Sequence, residues 1–212
     1  MYQYGDAVRD DVLRMIPPDG EVIGSIGCGY AATEAQLVAE GRQVHGVDIS
    51  EEPIRLAKTR LTSARVVRPG DRRLFEPVSL DGLILADVIE HIPQAWDALR
   101  EFAAYVKPGG WVVISVPNMR NYVGLRTFIL KGDWPEDPGG IFDRTHVQVL
   151  THRRLDRWCR HANLPIEQWF DRYDPYGPRR LRFFRCIDLM TGKLFHSWWM
   201  YQLQVRCRRM PC

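Results

Sequence analysis

The chain has 212 residues, 45% of them hydrophobic and 26% charged, with a net charge of +3. That length accommodates one α/β domain with additions, and the balance excludes a disordered or low-complexity chain. No apolar run approaches the ~20 residues of a membrane helix. The N-terminal MYQYGDAVRDDVLRM carries Asp6, Asp10 and Asp11 where a secretory leader would be basic and then apolar, so a cytoplasmic location is expected.

The cysteines Cys28, Cys159, Cys186, Cys207 and Cys212 form no CxxC pair and are odd in number. They read as free thiols, and no Cys or His spacing points to a metal site. Charge is uneven along the chain. Residues 144–212 hold 14 Lys and Arg against 5 Asp and Glu, while the rest hold 15 against 21. A basic C-terminal third suits an acidic partner or substrate, or is simply a solvated face.

In chain order, Ala7 to Met15 reads as a helix with Asp6 as its cap, stopped by Pro17-Pro18-Asp19-Gly20. Residues 21–50, EVIGSIGCGYAATEAQLVAEGRQVHGVDIS, read as strand, glycine turn, helix, strand and acid. Glycines let the backbone approach a ligand, a helix start offers free N–H groups, and Asp48 after the second strand can accept two ribose hydroxyls. Ser50 can cap a helix from Glu51 to Leu61, with Pro53 in its first turn. Val66-Val67 reads as a short strand before Pro69-Gly70-Asp71, and Arg72 to Leu80 as a loop.

Leu83 to Ala86 is wholly apolar, as in a strand buried in a parallel sheet, and runs into Asp87-Val88-Ile89-Glu90-His91. A helix from Gln94 to Val106, the break Lys107-Pro108-Gly109-Gly110 and a strand from Trp111 to Val116 follow. The alternation predicts a doubly wound parallel sheet, a Rossmann-like α/β/α sandwich. Later elements are less regular: helices at Tyr122–Leu130 and from Thr151 to His161, a strand at Pro165–Phe170, an Arg-rich aromatic helix within 178–195 and a last strand over Trp198–Arg206. The whole is expected to be one domain, 1–118 serving a cofactor and 119–212 an acceptor.

The order GCG, VDIS, PGD, DVIEHI and VKPGGWVVISVPN resembles the class I S-adenosylmethionine (SAM) dependent methyltransferases over residues 20–118. The segment from Pro117-Asn118 to Asp143-x-x-His146 is similar to a subgroup that accompanies glycan-assembly enzymes, and to MetW-like proteins. The resemblance implies a seven-stranded sheet whose last strand is antiparallel, SAM as cofactor and S-adenosylhomocysteine as product. It implies that Gly27, Cys28 and Gly29 pass beneath the methionine part of SAM. Asp48 holds the ribose, Ile49 packs on the adenine, and Asp71 with Arg72 lies at the adenine edge. Asp87 and Val88 lie near the sulfonium. Two positions depart from the family pattern: Ser25 stands where an acid is usual, and Ala31 where a third glycine is usual.

Methyl transfer needs an aligned acceptor, and a hydroxyl acceptor benefits from a base. His91, His146 and Asp143 are the candidates; three residues apart in a turn, Asp143 and His146 can pair, whether for catalysis or to pin the loop. Trp134 and Phe142 could stack on a ring or merely bury that loop, and Tyr4 could close over the cofactor or simply pack. Arg179, Arg180, Arg182 and Arg185 beside Phe183 and Phe184 suit a phosphate-bearing acceptor or an anionic membrane surface. The expected activity is O-methylation of a small-molecule or sugar hydroxyl. The alternatives are an N-methyltransferase and a SAM-fold module that binds without transfer. No nucleic-acid module is recognisable.

Overall fold

The structure is a computed structural model and describes residues 5–71, 73–173 and 178–211. Seven strands form one sheet: β1 (Val22–Ile26), β2 (Gln43–Asp48), β3 (Ser63–Val66), β4 (Leu80–Ala86), β5 (Val106–Pro117), β6 (Ile166–Arg172) and β7 (Gln202–Arg208), in the order β3-β2-β1-β4-β5-β7-β6. The first five pair in parallel, while β7 runs antiparallel between β5 and β6. This is the Rossmann-like sheet with a reversed last strand that the sequence led us to expect.

The period of two along the strands divides the core into two layers. Leu83, Leu85, Val112 and Ile114 point to one face, where α4 (Ala95–Ala103) and α6 (His152–His161) bury Leu99, Phe102, Leu155 and Trp158. Ile23, Ile84, Trp111 and Val113 point to the other, covered by α1 (Asp10–Leu13), α2 (Glu34–Ala39) and α3 (Glu51–Arg60). Trp111 is fully buried, and its Nε1–H donates to the Asp19 carbonyl at 2.9 Å. It lies over Gly82, where an added Cβ would come within 2.1 Å of the indole, so only glycine fits there.

Several boundaries differ from the sequence reading for visible reasons. The first helix is one turn, because Asp6 spends its carboxylate on Arg60 (2.5 Å) instead of capping. Lys107 to Gly110 does not precede a strand but loops out of β5, with Leu80 opposite Val106 and Gly82 opposite Trp111. The last strand starts at Gln202, because Trp198 and Trp199 belong to the short α8 (His196–Trp199). There Trp199 stacks on Phe184 of α7 (Pro178–Met190), ring centroids 4.4 Å apart. Thr151 does cap α6, accepting from the Arg154 N–H, and Asn121 caps α5 (Tyr122–Lys131), which ends at Gly132 with φ +63°. No helix among the described residues is long and apolar enough to cross a membrane.

Candidate active site

The carboxyl ends of β1, β2 and β4 converge on one edge of the sheet, where open α/β sheets bind ligands. At the end of β1 the chain turns through Gly27 (φ +71°) and Gly29 (φ +53°), with the Gly27 N–H bonded to the Val47 carbonyl at 2.8 Å. A Cβ at Gly27 would lie 2.6 Å from Val88, so the turn is pressed against the chain leaving β4. Ala31 takes a left-handed conformation (φ +59°), the backbone in which a glycine would be unstrained.

Asp48 is 2% exposed and ends β2. Its two oxygens accept from the Gly29 N–H and the Ser50 N–H, both at 2.9 Å. Ile49 beside it is 61% exposed, an apolar face turned outward next to a buried acid. Asp71 is exposed, and its carboxylate closes its own turn by accepting from the Arg68 N–H at 2.8 Å. Cys28 is buried with its sulfur packed over Gly46, and burial pushes its thiol well up, so it is held neutral. Tyr4 and Arg72 lie outside the described residues.

Asp87 ends β4 in a left-handed conformation (φ +56°). The Arg9 guanidinium donates to one of its oxygens at 2.5 Å and the Gln202 amide to the other at 2.6 Å. Arg9 also bonds Asp11 and the buried Ser115, and Asp11 in turn pairs with Arg172 at 2.7 Å. Burial works against the Arg9 charge, but Asp11 and Asp87 outweigh it and hold the guanidinium protonated. Arg9, Asp11, Ser115, Arg172 and Gln202 have no motif that marks them in sequence; an arginine among Asp6, Asp10 and Asp11 is the sole hint.

One turn further, Ile89–His91 carries Glu90, which is 0% exposed and whose two oxygens have no hydrogen-bond partner among the described residues. The 143–150 segment covers it: the Val147 and Gln148 N–H groups donate to the Glu90 carbonyl, at 2.9 and 3.2 Å. That docking brings His146 against His91, ring centroids 4.9 Å apart, with His146 Nδ1 buried and without a hydrogen-bond partner among the described residues. Asp143 does not bond the His146 imidazole. Its carboxylate accepts from the Thr145 N–H (2.8 Å) and hydroxyl (2.6 Å), and that hydroxyl lies 3.0 Å from His91 Nδ1. Burial pushes the Glu90 carboxyl well up, Asp87 adding to it, and pushes the His146 imidazole down, His91 adding to it. Both groups are therefore biased to their uncharged forms. Glu90, His91 and His146 offer ligand atoms within 4.8 Å of one another, a set that could share a proton or one divalent cation.

Trp134 packs edge-on to Phe142 (5.0 Å between centroids) and over Gly124, which fixes the loop before Asp143 onto α5. Beyond β6 a cavity of about 890 Å³ is lined by Arg14, Arg172, Arg185 and Lys193 among others, with Asp188 already paired to His196 at 2.7 Å.

A family model described as a methyltransferase domain matches residues 2–168. The chain belongs to this methyltransferase-domain family. SAM is its cofactor. The chain is 25% identical over 185 residues to a ubiquinone biosynthesis O-methyltransferase of Leptothrix cholodnii, covering 83% of this chain and 77% of that one. Its fold is that of a SAM-dependent methyltransferase from Archaeoglobus fulgidus (TM-score 0.66, 16% identity, 89% and 86% covered). It is also that of a putative SAM-dependent methyltransferase from Listeria monocytogenes (TM-score 0.66, 14% identity, 95% and 97% covered). The sheet edge fits that cofactor: an acid beneath a glycine turn, an open apolar residue beside it, and an acid at the end of β4.

Proposed function

We propose that this methyltransferase is an O-methyltransferase acting on a hydroxyl of a small molecule. The observation that carries the reading is the Glu90–His91–His146 cluster, one turn beyond Asp87. When bound, SAM supplies an electrophilic methyl group on its sulfonium. The Gly27–Gly29 turn and Asp48 would hold it, with Ile49 serving the adenine and Asp71 its edge, while Asp87 and Val88 would serve the methyl end. Arg9 and Gln202 fix the Asp87 carboxylate in place. An acceptor hydroxyl becomes nucleophilic as its proton leaves, and a neutral imidazole is the group suited to take it near pH 7. Burial biases His146 to its neutral form, and its buried Nδ1 has no hydrogen-bond partner among the described residues. His91 and Asp143, linked through Thr145, orient the loop that carries it. The name of the Leptothrix relative supports a hydroxyl acceptor.

The test is methyl transfer from labelled SAM to a panel of phenols, sugars and amines, with and without chelator. We expect a hydroxyl acceptor to be methylated, and His146→Asn to lower kcat about 100-fold or more. Turnover only on amines, unchanged in His91→Ala and His146→Ala, would establish N-methylation instead. SAM binding with no turnover on any acceptor would favour the binding module. A sugar acceptor carrying phosphate, the glycan-assembly and MetW-like reading, draws support from the Arg14, Arg185 and Lys193 cations around the 890 Å³ cavity. We place both halves in a single cytoplasmic domain.

A further inference from the structure

Ser25 leaves the end of β1 without the acid that its position calls for, yet a carboxyl group from another element lies against it. The Ser25 hydroxyl donates to Glu34 Oε1 at 2.7 Å. Ser25 is 1% and Glu34 6% exposed, so the pair is buried between β1 and the start of α2. Glu34 opens α2, the helix that follows the turn; burial raises its carboxyl above the ordinary value, so it takes its full negative charge when a cation arrives beside it. A carboxylate on residue 25 would reach into the space that the Glu34 oxygen now fills.

The other acids around the turn are committed. Asp48 accepts two backbone N–H groups. Asp87 is ion-paired to Arg9 at 2.5 Å. Glu34 has no ion-pair partner among the described residues, and its bond from Ser25 is from a neutral donor. SAM brings two cationic centres to this edge, an ammonium and a sulfonium, against one carboxylate. A buried carboxylate without a cation of its own is the group that can balance them.

We propose that Glu34 supplies, from the following helix, the negative charge for the amino-acid end of SAM that residue 25 lacks, with Ser25 as the positioning residue that aims it. The inference rests on SAM as cofactor. It goes beyond the family pattern by moving the charge to a different element, and it turns the Ser25 departure from a defect into half of a pair.

The experiment is calorimetric titration of SAM and of 5′-methylthioadenosine, which lacks the amino-acid end. Three proteins are compared: the unaltered chain, Glu34→Gln, and the double variant Ser25→Asp/Glu34→Gln. Glu34→Gln should weaken SAM about 10- to 100-fold, as for a charged hydrogen-bonded group, and leave methylthioadenosine within about twofold. Moving the charge back to residue 25 should return SAM affinity to within about threefold of the unaltered chain, because the carboxylate again sits under the turn. SAM affinity unchanged in Glu34→Gln overturns the proposal. So does equal weakening of both ligands, which marks a structural role, and so does a double variant that holds methylthioadenosine but not SAM. If the unaltered chain binds methylthioadenosine but not SAM, the charge is absent and the proposal fails; if it binds neither, the cofactor reading fails first and takes this one with it.

Discussion

On the proposed reading Asp48 joins folding to cofactor binding, and replacing it should separate the two. Its carboxylate accepts from the Gly29 and Ser50 N–H groups at 2.9 Å each, in a site 2% exposed. Hydrogen bonds to a charged group contribute about 1.5–3 kcal/mol each. Water entering the space left by Asp48→Ala recovers part of that, so a net loss of about 2–4 kcal/mol is expected. In urea this lowers the unfolding midpoint by roughly 1 M or more. Asp48→Asn keeps one acceptor oxygen but turns an amide NH₂ toward the second N–H, so it should lose about half as much stability. On the proposed reading both variants remove the charge that would face the ribose, and both should weaken SAM about 10- to 100-fold in calorimetry. The two measurements then rank the variants differently: alanine worse than asparagine in urea, the two similar in binding. Unaltered urea midpoints, or full SAM affinity in a folded Asp48→Ala protein, would refute this account of the turn.

Two further outcomes follow from packing and charge. Gly82→Ala places a methyl 2.1 Å from Trp111, which is fully buried and hydrogen-bonded to Asp19. A loss of about 3 kcal/mol or more is expected in urea unfolding, part of it regained when Trp111→Leu is added to the same chain. For Asp11, burial alone would raise the carboxyl, but Arg9, Arg172 and Gln204 outweigh it and hold it below its ordinary value of 3.8. A depressed acid contributes stability that is complete above about pH 4 and is lost as pH falls through the native value. The urea midpoint measured from pH 3 to 7 should therefore drop less steeply on the acid side in Asp11→Asn than in the unaltered chain.

Those parts of the fold that rest on local pattern were readable. Strand β4, wholly apolar from Leu83 to Ala86, and the α6 cap at Thr151 follow from period and cap chemistry within a few residues. Boundaries went astray where a distant partner competed with a local preference. Asp6 is a good cap by type, but Arg60, 54 residues away, takes its carboxylate. Trp198 and Trp199 alternate like a strand, but the indole of Trp199 stacks on Phe184, and that contact holds them in a helix. Lys107-Pro108-Gly109-Gly110 reads as a stop, yet strand pairing resumes across it because Gly82 opens the space Trp111 needs.

The same distinction runs through the site. A cofactor cradle is built from consecutive residues of strand–turn–helix units, so its chemistry is written in short motifs such as Gly27-Cys28-Gly29 and Val47-Asp48-Ile49. An acceptor site has to face that cradle from elements that arrive later, and no short motif records the meeting. Asp87 is met by Arg9 from 78 residues before it and by Gln202 from 115 after. Glu90 is an ordinary surface letter in DVIEHI until the 143–150 segment closes over it and leaves both oxygens without hydrogen-bond partners among the described residues. The Asp143-x-x-His146 spacing suggests an Asp–His pair, but the imidazole turns to His91 and the carboxylate to Thr145. Specificity in this chain therefore has to be sought among pairs far apart in sequence. The first of these to alter are the contacts between the Ile89–His91 turn and the loop that carries His146.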